Sequence, residues 1–341
     1  MRFVAGFSKI AGLALMAASA SLISAQTYTI TDLGPPSGDD YSVAHAINAS
    51  GQIAGGIGND RNNIGDVGLY SAGQWTSLGT LGGDSGIGNG INSLGQIAGY
   101  STDANGTYHA FISENGKLVD IGDLGGGSAT AYAINDSGQV VGSAVTSKGS
   151  NHPFLYSNGT MIDLGTLGSP QGNMWWNSAE AVNEAGVVAG VSYTPRNGFR
   201  GFVWKNGVMT PVGNLGGFMS EAYGINNKNQ TTGIAYLADG EAHAYIGTGS
   251  KMQDLGALET PLNTSWGFGI NDAGVVVGFC NMAQGEHAFV YSNGTMKDLN
   301  KLIPSGSGWV LYQAFAINNA GQIVGSGELN GEGRGFLLTP Q

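Results

Sequence analysis

The sequence predicts an all-β fold, a seven-bladed β-propeller made of four-stranded antiparallel blades. Three observations support this prediction. One short motif occurs seven times at intervals of 43 to 48 residues, every copy carries the turn signal of one β-hairpin and four copies carry that of a second, and the two ends of the array complete one another. A repeat of about 45 residues with four strands is typical of a propeller blade, and propellers commonly have four to eight blades.

The repeated motif reads Ile/Val-Asn-x-x-Gly, which is a strand end followed by a tight turn. Its asparagine stands at Asn48, Asn92, Asn135, Asn183, Asn226, Asn271 and Asn318. Three residues later comes a glycine in every copy except one, which has Asn229. Both residue types tolerate the positive φ that such a turn requires. A short apolar segment follows, as in Gly51-Gln52-Ile53-Ala54-Gly55, and we assign it to the second strand of each blade.

The third and fourth strands form the second hairpin of each copy. The third strand carries a recurring triplet: His109-Ala110-Phe111, His152-Pro153-Phe154, Arg200-Gly201-Phe202, His243-Ala244-Tyr245, His287-Ala288-Phe289 and Arg334-Gly335-Phe336, with a weaker first copy at Val67-Gly68-Leu69. Hairpin signals follow at Asn115-Gly116, Asn158-Gly159, Asn206-Gly207 and Asn293-Gly294. The fourth strand ends in Asp-Leu-Gly or a variant, as at Asp163-Leu164-Gly165.

The two ends of the array predict how the ring closes. Residues 28–34 resemble a fourth strand, and residues 335–338 resemble a third. We therefore expect the N-terminal strand to complete the last blade and to remove an exposed sheet edge. An open parallel β-solenoid is the alternative architecture, but the Asn-Gly turns favour the propeller because they demand antiparallel pairs.

These repeats resemble the HAF-repeat family of bacterial extracellular proteins, named for the His-Ala-Phe triplet found here at His109-Ala110-Phe111 and His287-Ala288-Phe289. The likeness covers nearly all of the chain after residue 25. It implies secretion from a bacterium and a repeat domain. It carries no established activity and no catalytic residues to transfer, so function has to be argued from this chain.

Residues 1–25 are expected to be a secretory signal peptide. Arg2 and Lys9 precede the apolar run of residues 10–20, which is short for a membrane-spanning helix, and small residues lead up to Ala25. We place cleavage after Ala25, with the Ala18-Ser19-Ala20 site second; a permanent membrane anchor is the alternative. Residues 26–341 then form a single extracellular or periplasmic propeller domain, with no membrane span.

Composition excludes several classes of function. A net charge of −11 with 13 Lys and Arg residues leaves no basic stripe to neutralise phosphates, which argues against nucleic-acid binding. Cys280 is the sole cysteine, so neither an intramolecular disulfide nor a thiolate zinc site is expected. We predict no metal site and no cofactor, apart from a weak Ca²⁺ signal at Asp39-Asp40.

Topology predicts which end of the ring binds a ligand. The turns between strands one and two and between strands three and four are short and share one face, the short-turn face. The longer, variable connections share the opposite, long-loop face, where binding residues usually lie. Aromatic and acidic residues there can stack on sugars and accept hydroxyl hydrogen bonds. The candidates are Asp40, Tyr41, Trp175, Trp176, Trp266, Trp309 and Tyr312. The alternative for Trp266, Trp309 and Tyr312 is that they cap blade edges.

The first strand of each copy lies nearest the axis. Four residues before each repeated asparagine stands Ala44, Gly88, Ala131, Ala179, Ala222, Gly267 or Ala314, and small side chains suit a crowded axis. The next residue is His45, Asn89, Tyr132, Glu180, Tyr223, Phe268 or Phe315. We expect the aromatic members to pack between blades, and the polar ones, including His45 and Glu180, to reach the channel mouth. The third-strand histidines share their position with Arg200 and Arg334, so we expect hydrogen bonds to a loop or a carboxylate rather than a metal ring.

No catalytic residue is predicted, because the sequence has no GxSxG, HExxH, GxGxxG or Walker motif. We expect a secreted, monomeric, non-enzymatic module for recognition or surface structure that binds a glycan or a protein on the long-loop face. The alternative is a polysaccharide-active enzyme, a glycoside hydrolase or lyase, which needs two opposed carboxylates near the axis. Glu180, Glu221 and Asp40 are the candidates for that pair.

Overall fold

A computed structural model describes residues 27–59, 65–168, 177–195, 198–258 and 264–341. In these ranges the chain forms 28 strands and one short 3-10 helix, Leu299–Lys301. The strands make seven four-stranded antiparallel sheets, so the predicted propeller is confirmed and the solenoid alternative is wrong. The predicted signal peptide lies outside the described residues. No helix in the ranges above is long and apolar enough to cross a membrane.

Each blade runs outward from the axis in chain order. The innermost strands are β2 (Tyr41–Ile47), β6 (Gly86–Ile91), β10 (Gly125–Ile134), β14 (Ser178–Val182), β18 (Gly216–Ile225), β22 (Thr264–Ile270) and β26 (Trp309–Ile317). The second strands are β3 (Ile53–Gly58), β7 (Ile97–Thr102), β11 (Val140–Thr146), β15 (Val188–Thr194), β19 (Thr231–Leu237), β23 (Val276–Met282) and β27 (Ile323–Leu329). Consecutive innermost strands contact one another all round the ring, including β26 against β2.

The outer half of each blade is the second hairpin. The third strands are β4 (Asp66–Ser71), β8 (Tyr108–Glu114), β12 (Asn151–Ser157), β16 (Gly198–Lys205), β20 (Ala242–Thr248), β24 (Gly285–Ser292) and β28 (Glu332–Pro340). The fourth strands are β5 (Gln74–Ser77), β9 (Lys117–Asp120), β13 (Thr160–Asp163), β17 (Val208–Pro211), β21 (Lys251–Asp254) and β25 (Thr295–Asp298), with β1 (Tyr28–Asp32) in the last blade.

The N-terminal strand closes the ring as predicted. β1 pairs antiparallel with β28, with Tyr28 opposite Pro340. Tyr28 and Leu33 are fully buried at this junction, and the Tyr28 backbone N–H donates to the carbonyl of Leu302 at 2.9 Å. The edge that β28 would otherwise expose is thereby paired.

Turn geometry and the two predicted faces are also confirmed. Asn115 and Gly116 have φ values of 51° and 73°, as a type I′ hairpin turn requires. Asn229, which replaces the repeated glycine, has φ 58°. Leu94 in a first-to-second turn and Asn115 in a third-to-fourth turn line one groove, so these turns share the short-turn face.

The core lies between the blades, where the aromatic residues of the third strand are fully buried. Opposite them in the second strand stands a repeated glycine: Gly55, Gly99, Gly142, Gly190, Gly233, Gly278 and Gly325. A Cβ on any of these glycines would lie only 1.7–2.1 Å from a backbone oxygen of the first strand. The strands therefore approach too closely for any other residue.

The first blade departs from the predicted register. Gly55 pairs with Gly68, where the other blades place the aromatic residue. The triplet of this blade is therefore residues 66–68, and the prediction of Val67-Gly68-Leu69 is wrong by one residue. A Cβ on Gly68 would lie 2.9 Å from the Trp75 ring, so Trp75 of the fourth strand fills the missing aromatic volume.

Candidate functional site

The repeated asparagines form a closed ring at the short-turn end of the channel. Each side-chain amide donates to the backbone carbonyl of the asparagine in the next blade, at 2.9–3.3 Å. Asn318 completes the circle by donating to the carbonyl of Asn48 at 3.0 Å. All seven side chains are buried. The repeated residue therefore ties every blade to the next one.

Each asparagine also holds its own turn. The Asn135 Oδ1 accepts from the backbone N–H groups of Ser137 and Gln139 at 3.1 and 3.0 Å, and the other six blades repeat this pattern. The ring surrounds a cavity of about 350 Å³. Polar side chains at its rim are also committed to the fold, because the Asp136 backbone N–H donates to Glu184 and the Asn227 N–H to Asp272.

Each innermost strand contains a β-bulge at the residue that follows its repeated small residue, which is Ala44 in the first blade. A bulge leaves its residue unpaired and redirects its side chain. We call the seven bulge residues the channel ring: His45, Asn89, Tyr132, Glu180, Tyr223, Phe268 and Phe315. All seven are half-buried, so part of each residue still reaches solvent.

Contacts between neighbouring members follow the channel ring from blade to blade. The Phe315 ring lies 5.2 Å from His45 and 5.9 Å from Phe268, and Phe268 lies 5.7 Å from Tyr223. The His45 Nδ1 is 3.1 Å from the Asn89 Oδ1. The aromatic members thus pack across blade boundaries as predicted, but they do so at the axis, in one ring with the polar members.

Two of the three predicted carboxyls, Glu180 and Glu221, interact electrostatically. Burial raises the pKa of Glu180 to about 7, a Ser178 hydrogen bond opposes the shift, and the Glu221 charge adds to it. Burial also raises the pKa of Glu221, which accepts a hydrogen bond from the Tyr223 hydroxyl at 2.5 Å. Asp40, the third candidate, is exposed ahead of β2 and shows no interaction with this pair.

Several polar atoms of this cluster are open. The Glu180 Oε2, the Glu221 Oε1 and the Tyr132 hydroxyl have no hydrogen-bond partner within the described part of the chain, and none is shut off from solvent. Burial raises the pKa of the Tyr132 hydroxyl, and the Glu180 charge raises it further, so this phenol stays protonated. The cluster offers two carboxyl acceptors and a hydroxyl to a ligand in the channel.

The predicted aromatic candidates have internal partners. Trp266 stacks on Phe279 at 4.7 Å with the rings nearly parallel, and Trp309 meets Phe336 edge-on at 6.3 Å. The Tyr312 hydroxyl donates to Glu328 at 2.6 Å. These contacts agree with the blade-capping alternative. Tyr41 begins β2, and Trp175 and Trp176 lie outside the described residues.

The exposed aromatic surface lies elsewhere on the long-loop face. Phe218 is 60% exposed and lies 5.7 Å from Tyr236 at a tilt of 31°. Tyr108 is 49% exposed and meets Tyr100 edge-on at 5.3 Å. Tyr108 was not among the predicted binding residues. Its position at the long-loop end of a third strand was the available signal.

The third-strand histidines bind carboxylates, as predicted. The four pairs join strands three and four at 2.8–3.1 Å: His109–Asp120, His152–Asp163, His243–Asp254 and His287–Asp298. No group of three or more potential metal ligands occurs in the described ranges. These histidines therefore act as cross-strand ties.

Comparison with known proteins shows the fold and nothing finer. No family model matches the sequence, and no curated protein matches it. A puromycin-hydrolyzing peptidase of Mycobacterium tuberculosis has a TM-score of 0.55 at 13% identity, over 84% of this chain and 49% of that chain. TolB from Acinetobacter baumannii has a TM-score of 0.42 at 12% sequence identity, and the match covers 88% of this chain and 55% of TolB. The BP39L lectin from Burkholderia pseudomallei has a TM-score of 0.44 at 11% sequence identity, and the match covers 90% of this chain and 93% of the lectin. This chain spans about half the length of the first two proteins.

Proposed function

We propose that the protein is a secreted recognition module of the HAF-repeat type that binds glycans on its long-loop face. One observation carries the proposal. The exposed aromatic rings of Phe218 and Tyr108 lie on the same face as the end of the channel where the Glu180 and Glu221 carboxyls keep open acceptor oxygens.

The chemistry of that face suits sugars. The apolar face of a pyranose stacks on an exposed aromatic ring, and Phe218 offers such a ring because only one side of it rests on Tyr236. Hydroxyl groups need acceptors, which carboxylates provide. The scaffold beneath is rigid, since the asparagine ring ties each blade to the next and β1 completes the last blade.

A glycan array with residues 26–341 tests the proposal. We expect wild-type binding to be lost in Phe218→Ala and retained in Val208→Ala, because Val208 is equally exposed (62%) but lies beside a short turn on the other face. A Trp175→Ala/Trp176→Ala variant tests the predicted candidates beyond the described residues. Silence across the array, or equal loss in the Val208 control, would contradict glycan recognition and leave a protein ligand.

A polysaccharide-active enzyme is the second candidate, favoured by the coupling of Glu180 to Glu221. Two interacting carboxyls with raised pKa values allow one to be protonated while the other is ionised, which is the arrangement of an acid and its partner in glycosidases. Array hits should then be cleaved, yielding new reducing ends or an unsaturated product. Glu180→Gln should abolish cleavage, whereas Glu184→Gln, at the opposite end of the channel, should not. Binding without cleavage would reject this candidate.

A further inference from the structure

We propose that the channel ring binds an organic ammonium ion, a class that runs from primary amines to quaternary ammonium groups. The ring combines aromatic walls with an acidic counter-ion: Tyr132, Tyr223, Phe268 and Phe315 supply the rings, and Glu180 supplies the carboxylate. This proposal does not depend on glycan binding at the rim.

The aromatic wall is continuous over three blade boundaries. Centroid distances of 5.7, 5.9 and 5.2 Å connect Tyr223 to Phe268, Phe268 to Phe315, and Phe315 to His45. The rings are tilted to one another by 35–58°, so the wall curves with the blades around the axis. A cation within about 6 Å of a ring centroid is attracted to the electron-rich face, and several rings together form the cage that holds alkylammonium groups.

The charges around the wall favour a cation. The Glu180 Oε2 is open, and Glu221 adds a second carboxyl beside it. The groups that shift the pKa of these carboxyls and of Tyr132 and Tyr223 include no lysine or arginine. His45 is the basic member of the ring, and burial lowers its pKa, so it stays neutral at pH 7 and does not repel a bound cation.

The mixture of ligands selects an organic cation over a metal ion. Calcium takes six to eight oxygen ligands and magnesium prefers an octahedron of them, whereas this ring has one carboxylate, one amide, one imidazole and four aromatic side chains. An alkylammonium ion sheds water far more readily and gains from apolar walls. The carboxylate has only to balance its charge.

Calorimetric titration with tetramethylammonium chloride tests the inference, with sodium chloride at equal ionic strength and tert-butanol as the neutral analogue. We expect saturable binding of tetramethylammonium alone. Glu180→Gln should weaken it at least tenfold and Phe268→Leu several-fold, while Glu184→Gln at the other end of the channel leaves it unchanged. Melting temperatures of all variants confirm that they are folded.

The pH dependence separates a site in the ring from surface binding. Glu180 interacts with Glu221, Tyr132 and Tyr223, and both tyrosines remain neutral. The empty site therefore takes up a proton on the carboxyl pair as the pH falls, and affinity should drop several-fold between pH 8 and pH 5.5. Heat from sodium chloride or tert-butanol equal to that from tetramethylammonium, wild-type affinity in Glu180→Gln, or equal weakening in Glu184→Gln would overturn the proposal.

Discussion

The two ends of the central channel are built from the same seven innermost strands, yet one end is uniform and the other is not. At the short-turn end every blade contributes an asparagine, and the seven side chains close a ring of hydrogen bonds. At the channel ring, three residues earlier in each strand, the blades contribute five residue types. The backbone geometry, a bulge, is nevertheless the same in each blade.

This difference reflects what the structure requires of the side chain at each of the two positions. The asparagine position makes demands on the side chain itself, because its amide must satisfy two backbone N–H groups of its own turn and one carbonyl of the next blade. The bulge position requires only that the residue be unpaired. Side chains there can change without loss of the blade, so that position is free to acquire a ligand.

Removing one asparagine should give the largest effect. Asn135→Ala deletes the buried bond to the Asn183 carbonyl and removes the acceptor of two half-buried bonds, from the backbone N–H groups of Ser137 and Gln139. We expect the free energy of unfolding to fall by about 2–3 kcal/mol, since a buried polar group left without a partner costs about 1–3 kcal/mol and each lost hydrogen bond about 1 kcal/mol. Urea denaturation measures it, with Ser137→Ala as the control in the same turn. A loss as small as that of the control would mean that the ring is dispensable.

A substitution in the channel ring is expected to raise the free energy of unfolding, whereas the asparagine substitution lowers it. Glu180 has a pKa raised from 4.5 to about 7, so the folded protein holds its proton more tightly than the unfolded chain. Stability therefore falls as the pH rises from 4.5 to 7 and stays reduced above 7. Glu180→Gln should stabilise the fold by roughly 2–3 kcal/mol at pH 8 and change little at pH 4.5.

Urea denaturation at both pH values tests this sign. Glu114→Gln is the control, because Glu114 is an exposed carboxyl in a short turn. Equal stability of Glu180→Gln and wild type at pH 8 would show that the channel ring carries no electrostatic cost. The contrast between the two ends of the channel would then rest on sequence variation alone.

A smaller effect should separate two copies of one repeated contact. The Asp298 carboxylate is buried and accepts from His287 and from the backbone and side chain of Asn300. The Asp163 side chain, bonded to His152, is 42% exposed. We expect Asp298→Asn to cost about 2 kcal/mol and Asp163→Asn less than about 1 kcal/mol. Thermal unfolding of both variants measures the difference. Equal losses of stability in the two variants would show that burial of the carboxylate does not change the strength of this repeated contact.

Much of the fold could be predicted because its signals are local. The Asn-Gly turns, the seven-fold spacing and the unmatched terminal strands each specify neighbours within a few residues or one repeat. The first triplet was placed one residue too late because Trp75, on the next strand, replaces the aromatic ring that Gly68 lacks. Such a compensation becomes visible only when the two strands are paired.

The candidate site was predictable only in part. Glu180 was placed near the axis from its alignment with His45, and it was named with Glu221 and Asp40 as a candidate for a carboxylate pair. The bulge that brings the whole set into one ring could not be predicted, because alternation along a strand shows no interruption until the register with the next strand is known. The closure of the asparagine ring depends likewise on a carbonyl 43 to 48 residues away, or 270 in the last blade.

The smallest change in stability is expected at Cys280. The residue type at this position differs from blade to blade, but the position lies within the second strand, away from the channel. In the register of the second strand it stands opposite His287, at the position that Ser101 and Ser192 occupy opposite His109 and Arg200 in two other blades. It is fully buried, and burial raises the pKa of its thiol to about 12. We therefore expect no reaction with a thiol reagent at pH 8 until the protein is unfolded in urea, and a cost of about 1 kcal/mol for Cys280→Ala. Rapid labelling of the folded protein would show that variable positions away from the channel are also accessible, and variation would then no longer single out the channel ring.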